Sequence, residues 1–291
     1  MKPAPFEYYA PANVAEALQT LTDLGYSGKV LAGGQSLIPA MNFRMAQPQA
    51  LVDINNLKEL DFIRLDQDGS LRIGAITRDN VVEKHPLVKE RASLICETMV
   101  HIAHPAIRNR GTFGGAMAHA DPAGQLPCIS LALGMRFLIR KVGGERWVEA
   151  ADFYQGPFTT VIEPEDLLVE VAIPAPLPRS GTCYRQVSRQ QGSQVQVGVA
   201  VMVAVDERGL CKLANIAVLG VAERTLLAKE AAKQLIGRLP SEQTIKSAAE
   251  VVSTREIDPG TDIHATEEYR QHVTNVLTQR ALSEAFSRAR G

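Results

Sequence analysis

Nothing in this sequence groups its cysteines. Cys96, Cys128, Cys183 and Cys211 stand at least 28 residues apart, with no Cys-x-x-Cys pair to found a zinc ribbon or an iron–sulfur site. They read as reduced, buried small hydrophobes. A dominant sign of charge is missing too: 31 Lys and Arg face 32 Asp and Glu, a net charge of −1. That balance leaves no whole-chain footprint for nucleic acid or an anionic membrane surface. Long apolar runs are also absent. The longest, residues 197–205, is broken only by Gly198 and is far too short to span a bilayer. The opening Met1-Lys2-Pro3-Ala4-Pro5-Phe6-Glu7 has no apolar stretch like that of a signal peptide, so a cytoplasmic location is expected. Neither G-x-G-x-x-G nor G-x-x-x-x-G-K-[ST] occurs, which disfavours a Rossmann domain or a P-loop, and no G-x-S-x-G elbow suggests an α/β-hydrolase.

What is present is ordinary globular composition: 291 residues, 45% hydrophobic and 22% charged, enough for about two domains. The first fifty residues read as strand–helix–strand. Asn13 caps the helix, Glu16 completes a capping box, and Val14, Ala17, Leu18 and Leu21 form its apolar face. Gly25 ends it. A buried strand at 29–31 runs into Ala32-Gly33-Gly34-Gln35-Ser36-Leu37, and another strand covers 51–54. A second α+β stretch begins at 71–76. Thr77 caps a short helix, a longer one covers 87–100, and an irregular segment follows at 104–115. Residues 122–133 read as helical despite Pro127. Strands at 135–139 and 146–148 flank the hairpin signal Gly143-Gly144, and 167–173 is a further strand. Three prolines in Pro174-Ala175-Pro176-Leu177-Pro178 mark a boundary. Beyond it, strands at 195–205 and 211–221 are joined by Asp206-Glu207-Arg208-Gly209. Helices follow at 224–236, at 241–252 and after Thr266, the last carrying Val273, Leu277, Ala281 and Ala285 at i+4 spacing. The fold class is α+β with a ββα tail.

Two glycine pairs carry the chemistry: Gly33-Gly34 beside Ser36, and Gly114-Gly115 beside Thr112. A Gly-Gly turn lets successive N–H groups converge and a bulky anion approach the main chain. Two facing loops of this kind can hold a pyrophosphate; alternatively each is a tight turn. Arg108 and Arg110 either neutralise phosphate there or form surface salt bridges. His101, His104, His119 and Asp121 are metal-ligand types, but Pro105 breaks the helix that would align the first two, and no metal site is assigned. Glu163, Glu165 and Asp166 read as a solvated turn before a strand.

Ala32-Gly33-Gly34-Gln35-Ser36-Leu37, followed some eighty residues on by Arg108-Asn109-Arg110-Gly111-Thr112-Phe113-Gly114-Gly115 and His119-Ala120-Asp121-Pro122, resembles one family. It is the FAD-binding medium subunit of molybdenum-containing hydroxylases, of the carbon monoxide dehydrogenase and xanthine dehydrogenase type. The resemblance runs along essentially the whole chain. It implies a two-subdomain FAD-binding fold of the vanillyl-alcohol-oxidase type, at 1–56 and 57–176, and a C-terminal flavoprotein domain with a three-stranded sheet at 177–291. It also implies FAD held through Ala32, Gly33, Gly34, Gln35 and Ser36 on one side and Thr112, Phe113, Gly114, Gly115 and Ala116 on the other. Asp121 belongs to the same motif. Ile102 matches an apolar position against the cofactor, and Leu168 a residue packed near the flavin ring. Gln125 stands where relatives commonly have Asp or Glu, and Arg185 where they often have Lys, which alters hydrogen-bond geometry. Residues 189–195 lack the acid and aromatic that many relatives carry near the flavin.

The function this implies is electron transfer. A large subunit would hold molybdopterin, a small one two [2Fe–2S] clusters, and electrons would pass through the FAD of this chain to an external acceptor, in a dimer of heterotrimers. No acid–base catalytic residue is assigned on this chain, because the cofactor supplies the redox chemistry. The alternative is a stand-alone FAD-dependent oxidoreductase acting directly on a small substrate, and a further one is a scaffold that keeps the fold without flavin.

Overall fold

The computed structural model describes residues 1–290. The chain opens with β1 (Glu7–Tyr9), α1 (Val14–Leu24), β2 (Gly28–Leu31), α2 (Leu37–Asn42) and β3 (Ala50–Asp53). β3 lies between β1 and β2, parallel to both. Asn13 does cap α1, its Oδ1 accepting the Glu16 N–H at 2.9 Å. The Glu16 carboxylate takes the N–H of Ala12 at 2.7 Å instead of that of Asn13, so the box closes one residue early. Val14, Ala17, Leu18 and Leu21 pack on Val52, Ile54 and Leu57. Gly25, at φ +51, stops the helix and donates to the Leu21 carbonyl.

Next come β4 (Ile63–Leu65) and β5 (Leu71–Gly74), then α3 (Asp79–Lys84), α4 (Pro86–Arg91), α5 (Ser93–Met99), α6 (Pro105–Arg108), α7 (Phe113–His119) and α8 (Gln125–Ala132). The chain returns through β6 (Arg136–Lys141), β7 (Gly144–Glu149), α9 (Ala150–Phe153), β8 (Tyr154–Gly156), β9 (Thr159–Thr160) and β10 (Leu167–Ile173). An antiparallel sheet forms in the order β4-β5-β10-β6-β7, with β10 central and buried throughout. The Gly143-Gly144 hairpin is in place, with Gly143 at φ +86.

The structure departs from the sequence-based expectation at three helices in this stretch. The helix expected over 87–100 is two helices, α4 and α5, broken at Ala92, whose φ of −148° and ψ of 53° leave the helical region. Thr77 caps nothing: its hydroxyl donates to the Phe62 carbonyl and accepts the Phe62 N–H, both at 3.2 Å, while Arg78 takes the cap position. The helix expected from residue 122 starts at Gln125, after a turn in which Gly124 donates to the Asp121 carbonyl. Pro127 therefore falls in the first turn, where its missing N–H costs no helical bond.

After the proline-rich segment, β11 (Ser180–Ser188), β12 (Val195–Val205), β13 (Cys211–Leu219) and β14 (Leu226–Leu227) pair in sequential order. The sheet has four strands where three were expected. The helix expected over 224–236 is instead β14 followed by the short α10 (Lys229–Lys233). α11 (Glu242–Val251) is capped by a Ser241/Thr244 box, and α12 (Glu267–Arg290) closes the chain. Val199, Val201 and Val203 of β12 face Leu277, Ala281 and Ala285 of α12. The opposite face of this sheet, with Ala200, Met202, Ala217 and Leu219, shares a core with Leu126 and Ile129 of α8. With both faces covered, β12 is a near-continuous apolar run instead of an alternating one. Among the described residues no helix is long and apolar enough to cross a membrane.

Candidate cofactor-binding site

The two glycine loops lie against each other. The first, residues 32–36, joins β2 to α2. The second is shorter than the irregular 104–115 expected from sequence and covers residues 109–112, between α6 and α7. Gly114 and Gly115 lie in the first turn of α7 and form no Gly-Gly turn. A Cβ built on Gly33 would stand 2.9 Å from the Cα of Gly111 and would overlap the carbonyl oxygen of Arg110. Gly34 has φ +72, a conformation that side chains with a Cβ disfavour. A Cβ on Gly114 would meet the Cα and Cβ of Ala75, because α7 starts flush on the end of β5. The N–H groups of Phe113 and Gly114 are taken by the carbonyls of Thr77 and Ala75.

Other donors in these loops are left over. Among the described residues, the N–H groups of residues 33–37 have no protein acceptor, and neither does that of Gly115. Thr112 holds the N-cap position of α7 without capping it. Its hydroxyl is buried and has no partner, although an N-cap hydroxyl ordinarily takes a first-turn N–H. Buried polar groups without partners are rare in folded proteins. Six free amides and an orphan hydroxyl, set among glycines where no Cβ intervenes, suit a pyrophosphate. The residues present therefore fit FAD.

The other expected site residues fall nearby. Ala32 and Gly115 are neighbours, the ideal Cβ of Gly115 lying 3.8 Å from that of Ala32. Phe113 is buried in the core, and Ala116 packs at its edge. Asp121 accepts the Ala123 N–H at 2.8 Å in a local turn. Gln125 begins α8 and bridges two elements, its Nε2 standing 3.4 Å from the His101 carbonyl and 3.3 Å from Gln186 Oε1. Ile102, half-buried, adjoins the first of these, and Arg185, exposed on β11, the second. Leu168 is buried in β10 within the same core that Ile102 packs against. The structure thus brings the two loops together and separately sets Gln125 of α8 beside His101 and Gln186.

Arg108 is not free for phosphate. It is buried, pairs with Glu83 at 2.9 Å and donates to the Ile102 carbonyl at 2.8 Å. Asp166, expected in a solvated turn, is buried and takes both Arg146 and the Glu163 N–H. His104 holds the N-cap position of α6 without a side-chain cap, while His101 lies on the preceding turn, so the two sit on different elements.

Three residues beside the loops carried no sequence signal. Asn55 Nδ2 donates to the Ala32 carbonyl at 2.7 Å. Arg78 donates to the Arg110 carbonyl at 2.5 Å and to Asn55 Oδ1 at 2.7 Å. Asp79 is buried against Gly111, with one carboxylate oxygen unpartnered. Burial pushes its carboxyl up to about 7, opposed in part by Arg108 and Arg78. These residues act across tens of positions, and a spacing rule has no access to such contacts.

Comparison with known proteins agrees with this geometry. Residues 4–176 match the family described as FAD binding domain in molybdopterin dehydrogenase. Residues 182–285 match the CO dehydrogenase flavoprotein C-terminal domain. The chain is 38% identical over 290 residues to the 6-hydroxypseudooxynicotine dehydrogenase complex subunit alpha of Paenarthrobacter nicotinovorans, covering 100% of this chain and 97% of that one. The structure of carbon monoxide dehydrogenase from Hydrogenophaga pseudoflava matches with a TM-score of 0.95 and 35% identity, over 99% of both chains. That of quinoline 2-oxidoreductase from Pseudomonas putida 86 matches at 0.92 and 34%, again over 99% of both. The chain belongs to the family of FAD-binding medium subunits of molybdenum-dependent dehydrogenases.

Proposed function

We propose that this chain is the electron-transfer subunit of a molybdenum hydroxylase complex, holding FAD with its pyrophosphate between residues 32–36 and 112–116. The observation that carries this is the run of amides at 33–37 without protein acceptors, set against the buried, unpartnered Thr112 hydroxyl. FAD held by these loops would supply the redox chemistry that links a small subunit's two [2Fe–2S] clusters to an external acceptor. The glycines admit the pyrophosphate, and the free amides of 33–37 and Gly115 donate to it. Ile102 and Leu168 give the ring an apolar wall. Gln125 and Arg185 provide polar groups beside it, and Asp121 fixes the turn between α7 and α8.

The four cysteines support placing the iron–sulfur clusters on another chain, since three are buried and none stands closer than 28 positions to another in the sequence. A large subunit then holds molybdopterin, the assembly is a cytoplasmic dimer of heterotrimers, and the chain divides at about Asn56 and Pro176.

The test is the visible spectrum of the chain purified from its own cells under mild conditions, with a denaturing gel of the same sample. Flavin absorbance, FAD released on denaturation, and two further chains with iron–sulfur absorbance support the complex. A yellow protein alone favours the stand-alone flavoenzyme. A colourless protein that takes up no added FAD overturns the reading.

A further inference from the structure

The two loops meet edge to edge, and one side chain is hydrogen-bonded across the seam. Arg78, at the start of α3, donates from Nη1 to the Arg110 carbonyl of the second loop. From Nη2 it donates to Asn55 Oδ1, and Asn55 Nδ2 in turn donates to the Ala32 carbonyl of the first loop. Asn55 is itself held, its Nδ2 and N–H both donating to Asp53 Oδ1, at 2.6 and 2.9 Å. The path Ala32–Asn55–Arg78–Arg110 thus runs from one loop to the other entirely through short hydrogen bonds.

We propose that Arg78, acting through Asn55, is a positioning residue for the cofactor pyrophosphate. It fixes the spacing of the two glycine loops before the cofactor arrives. This rests on the FAD reading above. A guanidinium suits the task because its planar fork presents two donors in a set direction, whereas an ammonium offers a point charge on a flexible stem. Arg78 turns its donors to a backbone carbonyl and to an amide oxygen, so its work is to hold the frame. Loops fixed in advance spare the bound state an ordering cost, which appears as affinity.

The test is titration of FAD into the full-length, FAD-stripped chain, followed by flavin fluorescence, with the unfolding midpoint of the stripped chain measured alongside. Uptake of about one FAD per chain by the wild type is the precondition; its failure counts against the FAD reading and not against the bridge. Arg78→Gln and Arg78→Lys should each weaken FAD binding about tenfold or more, the scale of a lost hydrogen bond to a charged group. Asn55→Ala should weaken it similarly, and the double variant Asn55→Ala/Arg78→Gln should be no weaker than its worse parent, because both act through one path. The midpoint should stay within a few degrees of wild type. Wild-type affinity in Arg78→Lys would assign the effect to charge alone and overturn the proposal. So would additive losses in the double variant, or losses that merely follow a falling midpoint. If Arg78→Gln does not fold, Asn55→Ser carries the same test.

Discussion

The α-carbon of Gly33 lies directly under the carbonyl of Arg110, with no room for a methyl group between them. Two segments seventy-seven positions apart therefore form one surface, and the amides of residues 33–37 in the first of them have no protein acceptor. The contact gives the first glycine of the first loop a reason of its own: the position needs the absence of a Cβ for close approach, while Gly34 needs its positive φ.

Gly33→Ala should push the loops apart. Overpacking of this kind costs about 1–3 kcal/mol. The variant should purify with a clearly lower flavin-to-protein absorbance ratio than wild type. An unchanged ratio, with unchanged stability, would mean the loops yield without consequence.

Asp79 predicts a pH dependence. Its carboxyl sits at about 7 in the folded protein against 3.8 when unperturbed, so the folded state binds the proton more tightly. Its contribution to stability is complete below about pH 4 and is lost as pH rises through 7. The loss over that span is at most about 4 kcal/mol. Asp79→Asn should exceed wild type in urea unfolding by a margin that widens steadily from pH 5 to about pH 7 and stays constant up to pH 8. Parallel pH–stability curves for the two proteins would refute this assignment.

Asp166 anchors the entry to β10, just before Leu168. Its side chain is 1% exposed and accepts from Arg146 Nη1 and Nη2 and from the Glu163 N–H. Asp166→Ala strands those donors, and roughly 2 kcal/mol of stability should go with it. Chemical denaturation reads this directly; a change below about 0.5 kcal/mol would show the pair to be no more than a surface bridge.

Gly181 is the seat of α12. A Cβ there would overlap the Ala285 carbonyl and stand 2.7 Å from the Ala289 amide. Gly181→Val should lift the helix from β11, with faster amide exchange across α12 than across β10. Equal protection of α12 in variant and wild type would show that the sheet can shift to accept the side chain.

Much of the fold was legible because its signals are local. Asn13 caps α1 through a contact three residues away. Gly143 and the Asp206–Gly209 turn place two hairpins, and Val273, Leu277, Ala281 and Ala285 give the buried stripe of α12. What the sequence hid depends on distant partners. β11, Ser180–Ser188, mixes polar and apolar residues and becomes a strand by pairing along β12. Ala92 breaks a helix with neither Gly nor Pro to announce it. The glycine loops were legible as a pair able to hold a pyrophosphate, with a tight turn at each as the alternative, and the resemblance to a family decided between the two. The Asn55–Arg78 path was invisible, since nothing in either residue's neighbourhood marks it.

The central claim is that both glycine loops hold one FAD. Flavin content of purified Gly34→Val and Gly114→Val, beside wild type, tests it most directly. At residue 34 the β-branched side chain opposes a φ of +72, and at 114 it collides with Ala75. The account predicts about one FAD per chain in the wild type and next to none in either variant, with both variants soluble and folded by circular dichroism. Near-normal FAD in both soluble variants would contradict it.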